Sequence, residues 1–154
     1  MTALNSDLMT GKVVLVVGGT QGLGSHIARR AAECGAEAVI VSGRGEDKGR
    51  AVADQLIALG TQGAFIKADV GDPEQALALV EQAVTTFGRV DCVANCAATT
   101  SRGSLVATTP ELLDEHLNEN LQVPFFVMPA AANDMLRRSQ PATLANISRI
   151  SSHA

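Results

Sequence analysis

The sequence predicts an α/β fold: a three-layer, doubly wound parallel sheet with helices on both faces. Two observations lead there. Short runs rich in β-branched apolar residues alternate with longer segments of helical period along all 154 residues. The short runs lack the in-out alternation of a half-exposed strand, so they suit strands buried on both faces, and strands separated by helices need crossover connections. The length suits one domain, 1–154.

Residues 12–17 (KVVLVV) read as the first strand. A glycine-rich turn follows, then a helix over 23–34 with Leu23, Ile27 and Ala31 on its apolar side and Gly35 as its stop. Residues 38–42 (AVIVS) form the second strand. A helix over 46–59 carries Val52, Leu56 and Leu59 and ends at Gly60, and 64–68 is the third strand. Asp72 and Pro73 open the next helix as cap and first residue, with Gln75 placed for a capping box. Leu77, Val80, Val84 and Phe87 line it, and Gly88 closes it. The fourth strand is 90–95. Thr109-Pro110 starts a helix lined by Leu113, Leu117 and Leu121. Pro124 and Pro129 predict a kink or early break after it, because an internal proline costs about 3 kcal/mol. Residues 142–148 are the fifth strand, after which the sheet is cut short.

Composition narrows the function classes. A net charge of -4 without a basic stripe argues against nucleic acid as partner. No apolar stretch approaches the roughly 20 residues that cross a bilayer, and the first residues lack the basic start and apolar run of a signal peptide. Cys34, Cys92 and Cys96 are few and odd in number, fitting a reducing cytoplasm. Cys92 and Cys96 lack the partners that complete a metal set, so no metal site is expected.

The most informative segment is Val17-Gly18-Gly19-Thr20-Gln21-Gly22-Leu23-Gly24, set between the first strand and first helix. Gly18 lets the chain leave the strand, Gly22 lets backbone approach a pyrophosphate, and Gly24 allows helix to pack closely on strand. Thr20, Gln21 and Leu23 complete the loop, whose amides at the helix start meet the anion. The second strand ends Val41-Ser42-Gly43-Arg44, about 20 residues on, where such folds read the adenosine ribose. No acid stands there to accept from a ribose 2′-OH. Arg44 offers a cationic fork for a 2′-phosphate, so NADP is preferred and NAD remains possible.

Taken together these motifs resemble the short-chain dehydrogenase/reductase family and its Rossmann-type domain. The glycine loop is similar to Thr-Gly-x-x-x-Gly-x-Gly, with Val17 in place of Thr. Asp69-Val70 matches the family's Asp beside the adenine. Ala94-Asn95-Cys96-Ala97 resembles Asn-Asn-Ala-Gly, retaining only Asn95 and the turn, in which Ala97 takes the glycine's place. Asn118-Glu119-Asn120-Leu121 resembles the helix bearing the catalytic Asn, which falls on Asn120. Ala145-Asn146-Ile147-Ser148 resembles the fifth strand. The resemblance implies hydride transfer between a nicotinamide C4 and an alcohol or carbonyl carbon.

Departures bear on that chemistry. The family's active-site Ser falls on Arg149, with Ser148, Ser151 and Ser152 nearby. Its Tyr-x-x-x-Lys lies beyond Ala154; these residues include no Tyr, and the lysines are Lys12, Lys48 and Lys67. His153, His116, His26 and Cys96 are poor substitutes as acid or nucleophile. The chain alone is therefore expected to be inactive. The alternative is a non-catalytic nucleotide-binding fragment or remnant that needs a partner to complete its fold. A fifth strand with Leu144 and Ile147 at a bare edge invites homo-oligomers or aggregation.

Overall fold

The computed structural model describes residues 7–99, 104 and 106–147. Five strands form one parallel sheet: β1 (Val13–Val17), β2 (Ala38–Gly43), β3 (Gln62–Lys67), β4 (Cys92–Asn95) and β5 (Thr143–Asn146). Their order is β3-β2-β1-β4-β5, so the chain winds outward one way from β1 and then the other. Five α-helices connect them: α1 (Gly22–Glu33), α2 (Glu46–Ala58), α3 (Pro73–Phe87), α4 (Pro110–Leu117) and α5 (Val123–Arg138), with a π turn, Asn118–Gln122, between the last two.

The central strands explain the unbroken apolar runs. Val13, Leu15 and Val17 share one face with Ala38 and Ile40, packed under Leu79 and Val80 of α3 and Val123, Val127 and Ala131 of α5. Val14, Val16, Val39 and Val41 face Ala28, Ala31 and Ala32 of α1 and Val52 and Leu56 of α2. Each fully buried Val or Leu contributes about 1.5–3 kcal/mol. Truncating Leu15, fully buried at the centre, would cost about 2–5 kcal/mol.

Several helix faces differ from the reading by period. In α3 the buried stripe is Ala76, Leu79, Val80 and Ala83, while Leu77 turns outward. Small alanines let this helix seat closely, which a search for large apolar residues overlooks. Leu23 and Leu59 are also exposed. Leu113, Leu117 and Leu121, expected to line a buried side, are exposed together with Phe125, since none of α4 is buried. The proline break falls earlier than expected: the π turn widens the helix before Pro124, and α5 then runs through Pro129 without interruption. Pro124 sits in the first turn of α5, directly after the π turn.

At α3 the Asp72 carboxylate accepts from the Glu74 amide (2.9 Å), as a cap should. Gln75 does not close the reciprocal box. Its Oε1 accepts from the Asp69 amide (3.0 Å), while its amide nitrogen donates to Asp72 (3.0 Å). The Asp72 amide is already bonded to the Asp69 carbonyl. Gln75 and Glu74 thereby hold the Asp72 carboxyl below its usual range, and the same bonds fix the loop after β3. β3 begins earlier than expected because Gly63, a weak strand former, fits beneath α2, where a Cβ would lie 2.5 Å from the Ala53 carbonyl oxygen. β5 is an edge, with Leu144 and Ile147 exposed. No helix among the described residues is long and apolar enough to cross a membrane.

Candidate functional site

All strands run in one direction, so the loops after β1, β2, β3 and β4 gather at their carboxyl ends. There they enclose a cleft of about 700 Å³, within the range of about 300–1,000 Å³ usual for ligand sites. Gly18, Thr20, Gln21, Gly22, Leu23, Gly24, Arg44, Asp69, Val70 and Ala97 all line it.

The glycine loop is shaped by close approaches. A Cβ on Gly18 (φ +73°) would lie 2.7 Å from the Ala97 amide nitrogen, and one on Gly24 would lie 2.3 Å from the Gly18 carbonyl oxygen. The loop can therefore pass between the β4 turn and α1 only without side chains. Gly22 differs: its φ is +56°, but nothing stands within 4 Å of where a Cβ would be. That empty space opens on the start of α1. Gln21 caps this helix in extended conformation, and its side chain makes no hydrogen bond to the helix amides, so the positive end of the helix faces the cleft.

At the other end Arg44 follows β2, its side chain 70% exposed. Gly43 packs under Thr20, whose Cγ2 would lie 2.8 Å from an added Cβ. Ser42, also lining the cleft, is fully buried, and its hydroxyl finds no partner among the described residues. Such a group favours a ligand that completes its bonding. The uncapped helix start, the open space at Gly22 and this lone hydroxyl together fit a phosphorylated nucleoside.

Asp69 directs its carboxylate into its own loop, accepting from the Gly71 amide (3.2 Å). Asn95 is buried and does not line the cleft; its amide oxygen accepts from the Ala97 amide (3.4 Å) and its nitrogen donates to Asn146 (2.8 Å). It supports the turn from beneath. Asn120 also stands outside the cleft. It brackets the Thr99 backbone, accepting from the amide (3.1 Å) and donating to the carbonyl (3.3 Å).

Cys96 lines the cleft, and burial pushes its thiol up, which disfavours the nucleophilic thiolate. His26 is exposed, its Nδ1 2.6 Å from the Gly22 carbonyl, and His116 Nδ1 lies 2.8 Å from the Leu112 carbonyl. Arg149, the neighbouring serines and His153 lie outside the described residues.

Three cleft residues escape a reading of the sequence. Lys48 lies one helical turn after Arg44 and donates to Gln21 Oε1 (2.8 Å), joining α2 to the glycine loop. Its spacing from Arg44 is the only sequence signal. Ser42 gave none beyond ending its strand. Glu119 reaches the cleft from the π turn, with Oε1 3.6 Å from Arg44 Nη1.

The model of the short chain dehydrogenase family matches residues 12–154. The chain is 37% identical over 127 residues to versicolorin reductase 1 of Aspergillus parasiticus, covering 82% of this chain and 48% of that protein. It is 31% identical over 144 residues to an L-rhamnose 1-dehydrogenase (NAD(P)(+)) of Sphingomonas, covering 94% and 57% respectively. A solved short chain dehydrogenase from Burkholderia cenocepacia, in complex with NADP, superposes with a TM-score of 0.78 at 33% identity, covering 82% of this chain and 51% of that one. The chain thus spans about half the length of these relatives.

Proposed function

The chain belongs to the short chain dehydrogenase family, and from that premise we propose that it is the cofactor-holding part of an NAD(P)-dependent oxidoreductase acting on alcohol or carbonyl carbons, with NADP preferred. The observation that carries this reading is the uncapped start of α1 facing open space at Gly22, with Arg44 at the far end of the same cleft.

Amides of Gly22, Leu23 and Gly24 hold the diphosphate, aided by the helix dipole. Arg44 takes a 2′-phosphate through paired hydrogen bonds. Asp69 and Val70 wall the adenine side, and Asn95 holds Ala97 in the turn that closes the opposite end. When bound, the nicotinamide gives or accepts hydride at C4. Asn120 acts through the loop it brackets rather than at the reacting atoms. The family's proton donor is a tyrosine, and these 154 residues contain none. We therefore assign them binding without turnover on their own. Free thiols at all three cysteines support a cytoplasmic setting.

A second reading, a non-catalytic nucleotide-binding piece that needs a partner to complete it, is favoured by the edge position of β5 among the described residues. Calorimetric titration with NADP and NAD, followed by turnover assays with NADPH and a panel of ketones, tests both readings. Tighter binding of NADP, weakened about tenfold in Arg44→Ala, is the expected result. Tighter binding of NAD, unaffected by Arg44→Ala, would overturn the NADP assignment. Ketone turnover at an enzymic rate would overturn the assignment of binding without turnover.

A further inference from the structure

The π turn places three consecutive polar residues against three different loops of the cleft. Asn118 donates to the Gly71 carbonyl after β3 (2.9 Å). Asn120 brackets Thr99 after β4 (3.1 and 3.3 Å). Between them, Glu119 points toward Arg44 after β2, with 3.6 Å between Oε1 and Nη1. The two asparagines fix the backbone on either side of Glu119, so its carboxylate is held rather than loosely tethered. Its side chain is 19% exposed against 70% for Arg44. The wide turn itself matters here, since insertions of this kind re-aim side chains at functional sites.

We infer that Glu119 is a specificity-determining residue, a carboxylate brought from the α4–α5 junction to the place where the tip of β2 offers no acid. This rests on the reading of the cleft as a dinucleotide site. Glu119 acts on Arg44 in two ways. It occupies the guanidinium that a 2′-phosphate would take, and it sets a negative charge beside a group carrying about two more. A ribose 2′-OH meets no such penalty and can donate to the carboxylate, as ribose hydroxyls do to acids in dinucleotide folds. Arg44 thus draws the site toward NADP while Glu119 draws it back toward NAD. The ratio of the two affinities reflects both residues.

The test is calorimetric titration of the whole chain with NADP and NAD, for wild type, Glu119→Gln and Glu119→Ala, with thermal melts to establish folding. The glutamine variant keeps size and polarity while removing charge. Both variants are expected to raise the NADP-to-NAD affinity ratio about tenfold or more, since like charges at close range oppose binding strongly. An unchanged ratio in folded variants that still bind dinucleotide would overturn the role of Glu119 and leave the cofactor reading intact. Failure of every folded form, wild type included, to bind either dinucleotide would overturn the cofactor reading and this role with it.

Discussion

The side-chain amide of Asn95 donates to the amide oxygen of Asn146 at 2.8 Å, joining register partners on β4 and β5. Asn95 is 1% exposed, and its own oxygen accepts from Ala97 in the turn at the end of the cleft. One buried side chain therefore ties the edge strand to the turn after β4. Asn95→Leu leaves the Ala97 amide and Asn146 without this partner. It is expected to cost about 1–3 kcal/mol and to weaken dinucleotide binding, as read by urea unfolding and calorimetry.

At the opposite end of the sheet, Asp91 accepts from the Val13 amide (2.9 Å), Arg89 (3.0 Å) and Arg138 (3.0 Å). Arg138 also bonds Asp134 (2.9 Å) and the Val90 carbonyl. Burial pushes the Asp91 carboxyl up, but the Val13 amide and the two guanidiniums outweigh it and hold it below its usual range. A carboxyl lowered in the folded state stabilises fully above its unfolded value of about 3.9. That contribution is lost as pH falls from there through the folded value. Melting temperature should therefore fall below about pH 4, and less steeply in Asp91→Asn, which starts from lower stability.

Arg138→Ala strips a partner from both Asp91 and Asp134, which are buried. Removing one side of a buried pair costs about 3–5 kcal/mol. With Arg89 still on Asp91, the expectation is about 3 kcal/mol by chemical unfolding.

Two glycines of the same loop should respond differently to alanine. In Gly24→Ala the new methyl meets the Gly18 carbonyl oxygen at 2.3 Å, so overpacking of about 1–3 kcal/mol accompanies loss of binding. In Gly22→Ala nothing crowds the methyl. The positive φ costs about 1–2 kcal/mol, and the larger effect should be on dinucleotide affinity. Thermal melts run beside calorimetry distinguish the two.

β5, an edge of the sheet among the described residues with Leu144 41% exposed, should make the chain associate as concentration rises. Sedimentation velocity is expected to show this, with Leu144→Lys reducing it. A monodisperse monomer with a sharp two-state melt would count against it.

Much of the fold was legible because β1 is apolar throughout, β2 is apolar at every buried position except Ser42, and the glycine loop sits between a strand and a helix. The glycine-loop residues and Arg44 followed from that frame, and Asp69 from the family resemblance. Other features were hidden because they depend on contacts distant in sequence. Gly63 stays in a strand because α2 needs the space, and Glu119 enters the cleft only because a π turn rotates it there. Leu113 and Leu117 have the spacing of a buried stripe, yet they remain 52% and 44% exposed. Periodicity shows that a face is apolar and does not show what lies against it.

The most direct test of the proposed cofactor cradle is backbone amide NMR of the isotopically labelled chain during NADP titration. Saturable shifts concentrated at Thr20 to Gly24, with smaller ones at Arg44 and Gly71, are expected. A well-dispersed, folded spectrum that stays unchanged at millimolar NADP would contradict the assignment of this cleft.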